Sequence, residues 1–335
     1  MSEIDPRVTI LLNKPQLKQL TAEWFKARPG LITASSAAAL LVRDSGTCDP
    51  YIREFDLEDI FDKNGRCCNP YSTKSQYFLD KCQGSKFKGN SATYWGQKYE
   101  QVVTDIYSKI NNIEVLEFGL IVHDNIDYLA ASPDGITTEG VMLEIKCPFR
   151  RKITGIPPLY YWIQVQLQLE VCDLDFCDFA EYSFVEFATE EEFNDVETIS
   201  KTFLHKGLFI QIEKEDENFT CNPADNKYIY PEKELIDQCE ALFAWRDATL
   251  ASLGPLPSNL KVSTVYWKVD ENSIVRIKRD RDWFEYVKPI FAKEWNKILY
   301  YKKGNNYRHL LSNRGKELSG SILHLDSTEV KCILD

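Results

Sequence analysis

The sequence predicts an α/β fold: a mixed central β-sheet flanked by helices, extended by a C-terminal α+β region. Three observations lead there. Over residues 94–110 the apolar positions Trp95, Tyr99, Val102, Ile106 and Ile110 recur at the period of a helix that buries one face. The period then shortens to that of strands over residues 115–123, 128–131 and 141–146, with turns at Asp124-Asn125 and around 135–140. Finally, Pro157 and Pro158 lead into a helix over Leu159–Cys172, followed at once by a long aromatic strand, Phe176–Phe187.

The remaining elements follow from local signals. Residues 15–26 read as an amphipathic helix that runs into Arg28-Pro-Gly-Leu-Ile-Thr-Ala-Ser-Ser36. Residues 37–42 read as a small-residue helix capped by Thr33, Ser35 or Ser36. The segment 43–92 holds glycine, proline, asparagine and four cysteines and reads as irregular, with a helix at 75–83. Past residue 190 come a polar, acidic stretch at 213–217, a helix at 233–251 and a break at 254–257. A strand near 262–269 and a helix at 283–301 complete the chain. The expected division is a core with N-terminal helices over 1–190 and an extension packed on it over 191–335.

Of the 335 residues, 44% are hydrophobic and 27% charged, enough apolar material for a full core. No apolar run approaches the roughly 20 residues of a membrane helix, and residues 1–7 lack the apolar segment of a signal peptide. The expectation is an intracellular protein with no membrane partner. Ten cysteines in 335 residues fall far below the ~8–10% of a disulfide scaffold, which favours reduced thiols. The net charge of −11 argues against a nucleic-acid partner only weakly, because metal-binding carboxylates add negative charge and a local basic lining still holds a phosphate backbone.

The informative strand is 141–146. Alternation sends Val141, Leu143 and Ile145 to one face and Met142, Glu144 and Lys146 to the other. A hairpin return brings Asp134 of Ser132-Pro-Asp-Gly135 beside the start of that strand. Two carboxylates and the Ile145 carbonyl are hard oxygen ligands suited to Mg²⁺, with Mn²⁺ as substitute; such ions keep waters and grip a substrate phosphate. Lys146 then orients or helps deprotonate a water, or neutralises charge on the attacked phosphate. An isolated Glu-x-Lys is usually an exposed edge, so the companions matter. Glu100 borders the apolar stripe of its helix, and Tyr161, Gln164 and Gln168 form a polar stripe on the helix that follows Lys146, where the glutamines reach a bound water or the lysine.

Five motifs in order resemble the lambda-exonuclease-like, YqaJ-type viral recombinase branch of the PD-(D/E)xK nucleases. They are Trp24-Phe-Lys-Ala-Arg-Pro-Gly-Leu-Ile-Thr-Ala-Ser35, Trp95-Gly-Gln-Lys-Tyr-Glu100, Ser132-Pro-Asp-Gly135, Leu143-Glu-Ile-Lys-Cys-Pro148 and Tyr161-Trp-Ile-Gln-Val-Gln166. The C-terminal region resembles versions from large DNA viruses more than the shorter phage enzyme. The resemblance implies a restriction-endonuclease-like core and a Mg²⁺-dependent exonuclease that resects duplex ends 5′ to 3′, leaving 3′ single strands for recombination or repair. It implies Glu100, Asp134 and Glu144 as metal-binding acids, Lys146 as the catalytic lysine and Gln164 as its helper. Arg28 and Ser35 become a phosphate-binding pair, with Thr33, Ser132 and Tyr161 beside them. As partners it implies duplex DNA ends, a single-strand annealing recombinase and further copies of the chain, in the cytoplasm or nucleus of an infected cell.

Position alone makes Ser35 a helix cap and Arg28 an end-of-helix charge. The family match turns them into an anion site at a helix N-terminus. A structure-specific or flap endonuclease on the same core, and a non-catalytic DNA-binding module, remain as alternatives. Some relatives of this nuclease superfamily hold an iron–sulfur cluster, but here Cys172 and Cys177 are followed by no close pair. Ordinary buried thiols are preferred over that and over a zinc site of Cys48, Cys67, Cys68 and Cys82. The basic run 276–283 reads either as a DNA contact or as a solvated strand end with a buried Trp-Phe pair.

Overall fold

The structure, a computed structural model, describes residues 4–41, 72–85, 89–195, 205–216, 220–308 and 310. Helices begin where a side chain satisfies a free backbone N–H. Asp5 accepts from Arg7 to start α1 (Pro6–Leu12), and Thr21 accepts from Trp24 to start α2 (Ala22–Ala27). A 3₁₀ turn over Arg28–Gly30 leads to β1 (Ile32–Thr33) and α3 (Ala34–Ala37), which continues as a 3₁₀ turn over Ala38–Leu40. Thr73 caps α4 (Lys74–Gln83); Asn90 caps α5 (Ser91–Asn111), and Asn112 ends it in the left-handed region. Five short strands follow: β2 (Val115–Leu116), β3 (Ile121–Val122), β4 (Leu129–Ala131), β5 (Gly135–Thr137) and β6 (Val141–Lys146). Then come α6 (Leu159–Cys172), β7 (Phe176–Phe187), α7 (Glu190–Asp195), β8 (Lys206–Lys214) and β9 (Lys227–Ile229). The last elements are α8 (Cys239–Leu253), β10 (Leu260–Lys278) and α9 (Arg281–Lys302).

A seven-stranded sheet in the order β2-β5-β6-β7-β10-β8-β9 forms the middle of the molecule. Only β6 and β7 in it are parallel, and α6 makes the crossover between them. This is the mixed sheet flanked by helices that the sequence predicts. Along β6 the alternating side chains feed two cores. Met142 packs with α6 and α9 (Ile163, Leu167, Phe291), whereas Leu143 and Ile145 pack with α5 (Tyr99, Val103, Ile106). Residues on both sides of position 190 share the sheet, since β10 pairs along the length of β7. Gln166 of α6 fastens the end of β10: its amide donates to the Lys278 carbonyl at 2.9 Å and accepts from the Asp280 N–H at 2.7 Å.

The helices at 75–83, 94–110 and 283–301 are present with slightly wider limits, and Leu159–Cys172 and Phe176–Phe187 appear with the expected limits. Four expectations are corrected. Residues 15–26 are not one helix. Leu17 and Leu20 mimic a helical stripe, but the Leu17 carbonyl accepts from Leu120 N–H at 2.8 Å and Leu20 sits at φ +62°. The helix expected at 37–42 begins at Ala34 and tightens into a 3₁₀ turn, with Val42 outside the described residues. The single strand at 115–123 is two strands in different sheets, and β1-β4-β3 form a separate three-stranded sheet, so the strands expected at 115–123, 128–131 and 141–146 do not follow one another in a single sheet. Residues 233–251 split at Asp237 (φ +69°), whose carboxylate accepts from the Lys206 N–H at 2.9 Å and faces His205 at 2.7 Å. Strand β8, within and before the acidic stretch, and the long reach of β10 beyond residue 269 were not anticipated. Most of the segment 43–92 lies outside the described residues.

The break between β2 and β3 rests on Gly119: a Cβ there would lie 2.4 Å from the Leu17 carbonyl oxygen. Gly119→Ala is therefore expected to lower unfolding free energy by about 1–3 kcal/mol, the usual range for overpacking, measured by urea denaturation.

Candidate active site

Because β6 runs inside the sheet, Glu144 is fully buried. A carboxylate in that position must be paired and hydrogen-bonded, and three neighbours do this. Lys146 Nζ, two residues along the same face, pairs with Glu144 Oε1. From α6, Gln164 donates to Oε1 at 2.6 Å and Gln168 to Oε2 at 2.7 Å. The two glutamines stand one helical turn apart, and each amide donates to a different oxygen of the one carboxylate. Tyr161, a turn earlier, lies with its ring 4.9 Å from Lys146 Nζ.

The register of β5 against β6 sets Gly135 opposite Leu143, which carries Asp134 alongside Glu144. The Ile145 N–H donates to Asp134 Oδ2 at 2.7 Å. Burial, then the like charges of Glu144 and Glu100, hold the Asp134 carboxyl well above its ordinary range. Glu100, on α5, is pushed up to about 7 by burial, with Lys146 opposing the shift and Glu144 adding to it. Burial disfavours the Lys146 ammonium, but Glu144 and Asp134 outweigh it and raise its pKa. Three acids thus share one lysine in a poorly solvated place.

The opposite wall comes from the N-terminal turn. The Arg28 guanidinium lies 4.1 Å from the Trp24 ring centroid and donates to Ser35 Oγ at 3.3 Å. Trp24 in turn donates from its indole N–H to Ser132 Oγ at 3.1 Å, tying this wall to the segment that holds Asp134. Between the walls is a cleft of about 360 Å³, lined on one side by Asp134, Glu144, Lys146, Tyr161, Gln164 and Gln168 and on the other by Trp24, Arg28, Thr33, Ser35 and Ser132.

The structure thus gathers nine of the expected site residues in one cleft. Glu100 does not line it and acts on it electrostatically, and the Ile145 side chain belongs to the α5 core. The glutamines bond the Glu144 carboxylate itself. Gln168 joins them from the polar stripe expected on α6, and Trp24 and Gln19, which donates to the Pro133 carbonyl at 2.9 Å, are additions. Trp24 was legible as the residue four before Arg28; nothing local marks Gln19. In the run 276–283, Arg276 bonds Asp178 at 2.8 and 2.9 Å and Arg279 bonds Glu170 at 2.9 Å, while Trp283 is buried, so both arginines are paired with acids of the scaffold. Cys147, Cys172 and Cys177 are buried free thiols; Cys48, Cys67 and Cys68 of the weighed zinc set lie outside the described residues.

Among the described residues no three His, Cys, Asp or Glu side chains form a closed metal cage. The donor set still fits Mg²⁺ or Mn²⁺, which commonly take one or two carboxylates and leave positions for water and substrate phosphate. Asp134 and Glu144 are oxygen donors crowded against each other, and a divalent cation relieves that repulsion.

Residues 23–175 match the family model of the YqaJ-like viral recombinase domain. An uncharacterized protein of Acanthamoeba polyphaga mimivirus is 31% identical over 330 residues, which cover 89% of this chain and 55% of the relative. The chain therefore spans about half the length of that relative. Among solved structures, an alkaline exonuclease from Laribacter hongkongensis is similar over 88% of this chain and 99% of its own, at 17% identity and a TM-score of 0.46. A phage-related exonuclease from Haemophilus somnus is similar over 85% and 96%, at 13% identity and a TM-score of 0.37. Among the described residues no helix is long and apolar enough to cross a membrane.

The crowding of acids makes a prediction separate from activity. In chelator, Asp134→Asn keeps an acceptor for the Ile145 N–H and removes one like charge, so its melting temperature is expected to rise by roughly 2 °C or more. Added Mg²⁺ is expected to stabilise the wild type more than the variant. A thermal melt with and without Mg²⁺ checks both.

Proposed function

We propose, from the match of residues 23–175 to the family model of the YqaJ-like viral recombinase domain, that the protein is a metal-dependent DNA exonuclease. It hydrolyses phosphodiester bonds from duplex ends in the 5′ to 3′ direction and leaves 3′ single strands for recombination or repair. The observation that carries the reading is the convergence of Asp134, Glu144, Lys146 and Gln164 with Arg28 and Ser35 on one cleft. A fold-maintaining ion pair would not call for a second acid crowded beside Glu144 and a cationic wall facing it.

Asp134, Glu144 and the Ile145 carbonyl, with Glu100 behind them, are the groups that would hold Mg²⁺ or Mn²⁺, which when bound supplies Lewis-acid polarisation of the scissile phosphate and acidifies water. Lys146 neutralises the charge that develops on the phosphoryl oxygens as the pentavalent arrangement forms. Gln164 and Gln168 keep the Glu144 carboxylate in one orientation, so that little reorganisation is needed during the reaction. Arg28 and Ser35 bind the 5′-terminal phosphate of the strand being shortened, through charge-assisted hydrogen bonds. That contact favours an end over an internal site and sets the direction. A single-strand annealing protein that receives the 3′ strand is the partner this product calls for.

Activity on a linear duplex is expected to require Mg²⁺ and to vanish in excess chelator, with closed circular DNA left intact; cleavage of the circle would favour an endonuclease on the same core. Asp134→Ala and Glu144→Ala are expected to lower single-turnover cleavage by about 10³-fold or more. Lys146→Gln is expected to bind DNA normally in an anisotropy titration while cleaving about 10²-fold more slowly, because its role is in the transition state. Rates on 5′-phosphorylated and 5′-hydroxyl ends separate the role of Arg28: the wild type prefers the phosphate, and Arg28→Ala abolishes that preference.

A further inference from the structure

Two lysines from outside the cleft converge on the turn that presents Arg28. Residues Arg28–Gly30 form a single 3₁₀ turn in which the Arg28 carbonyl accepts from the Leu31 N–H at 3.1 Å, and carbonyls at such an end commonly take further donors from elsewhere. Lys81, in the last turn of α4, donates from Nζ to the Arg28 carbonyl at 2.7 Å and also to the Leu31 carbonyl. Lys302, the last residue of α9, donates to the Pro29 carbonyl at 2.6 Å. Their helices are fastened to each other: the Phe78 and Tyr301 rings lie 5.1 Å apart, and Lys74 pairs with the buried Glu294 at 3.0 Å.

The choice of lysine at these positions is informative. Lys81 is only 8% exposed, and a neutral amide could satisfy the same carbonyls without burying a charge. Among the described residues none of Arg28, Lys81 and Lys302 makes a salt bridge with a carboxylate. Asp80, the acid within electrostatic reach of Lys81, is held by Gln76 at 2.7 Å. Burial first, and then the like charges of Arg28 and Lys302, push the Lys81 ammonium down to about 7. Three positive groups around one turn repel one another until an anion neutralises them, and the Arg28 guanidinium faces the cleft beside Ser35.

We propose that Lys81 and Lys302 are positioning residues of the phosphate site, which fix the Arg28 turn and add positive charge behind it. The C-terminal helix α9, beyond the residues that match the recombinase domain, thereby helps to select a phosphorylated strand end. The inference rests on the reading of Arg28 and Ser35 as the site of a terminal phosphate.

The test is the affinity of the full chain for hairpin duplexes whose one open end carries a 5′-phosphate or a 5′-hydroxyl, read by fluorescence anisotropy with Ca²⁺ as the divalent ion. The wild type is expected to prefer the phosphate. Lys302→Met is expected to reduce that preference about 3–10-fold, less than the direct loss of a charged hydrogen bond because Lys302 acts through the Arg28 turn, with affinity for the hydroxyl end unchanged. Lys302→Arg restores it, and Lys302→Gln, a donor without the charge, falls between. In turnover the loss appears in KM for phosphorylated ends and not in kcat. Lys81→Met is expected to lose more, and if it does not fold, the Lys302 series decides alone. A Lys302→Met protein that keeps the wild-type preference, or that weakens on both ends equally, overturns the proposal. A wild type with no preference overturns it together with the Arg28 site, whereas the nuclease reading stands or falls separately on Mg²⁺-dependent cleavage.

Discussion

A buried carboxylate at the wall of the cleft dictates much of this structure. Glu144 is almost fully buried, and its carboxylate is paired with a lysine on its own strand and bonded by two glutamines from the next helix. Removing one partner would strand a buried polar group, which commonly costs about 1–3 kcal/mol and more when the group is charged. The parallel crossover from β6 through α6 to β7 is what brings Gln164 and Gln168 over Glu144. Sheet topology and site chemistry are therefore one constraint: the helix that closes the crossover also supplies the donors.

The second constraint is repulsion. Asp134 and Glu100 are both held above their ordinary range by burial and by neighbouring acids, with Lys146 as the cation among them. A fold selected for stability alone has little use for this arrangement; a site that receives a divalent cation and a phosphodiester does. The net charge of −11 fits the same picture, because the basic groups that matter are gathered locally. Arg28, Lys81 and Lys302 meet at one turn, while Arg276 and Arg279 are committed to acids of the scaffold.

Much of the site was legible because it is local. Alternation along 141–146 puts Glu144 and Lys146 on one face, a short hairpin returns Asp134 to them, and helical spacing aligns Tyr161, Gln164 and Gln168. Leu159–Cys172 could be read from the two prolines that open it and the aromatic strand that follows, and in the structure a left-handed Asp173 closes it. What could not be read depends on distant partners. Leu17 and Leu20 imitate a helix until Leu120 claims the Leu17 carbonyl. Strand β8 exists because β10 offers it an edge. Lys302 reaches Pro29 across most of the chain, a relation that no periodicity reveals.

The measurement that bears most directly on the role of Glu144 is single-turnover cleavage of a 5′-phosphorylated duplex by Gln168→Leu across a range of Mg²⁺ concentrations. If the glutamines hold Glu144 for metal and substrate, the folded variant needs more Mg²⁺ or cleaves more slowly, by about 10–100-fold, the usual effect of losing a group that orients a ligand. A folded Gln168→Leu protein with the wild-type rate and the wild-type Mg²⁺ dependence would contradict the account.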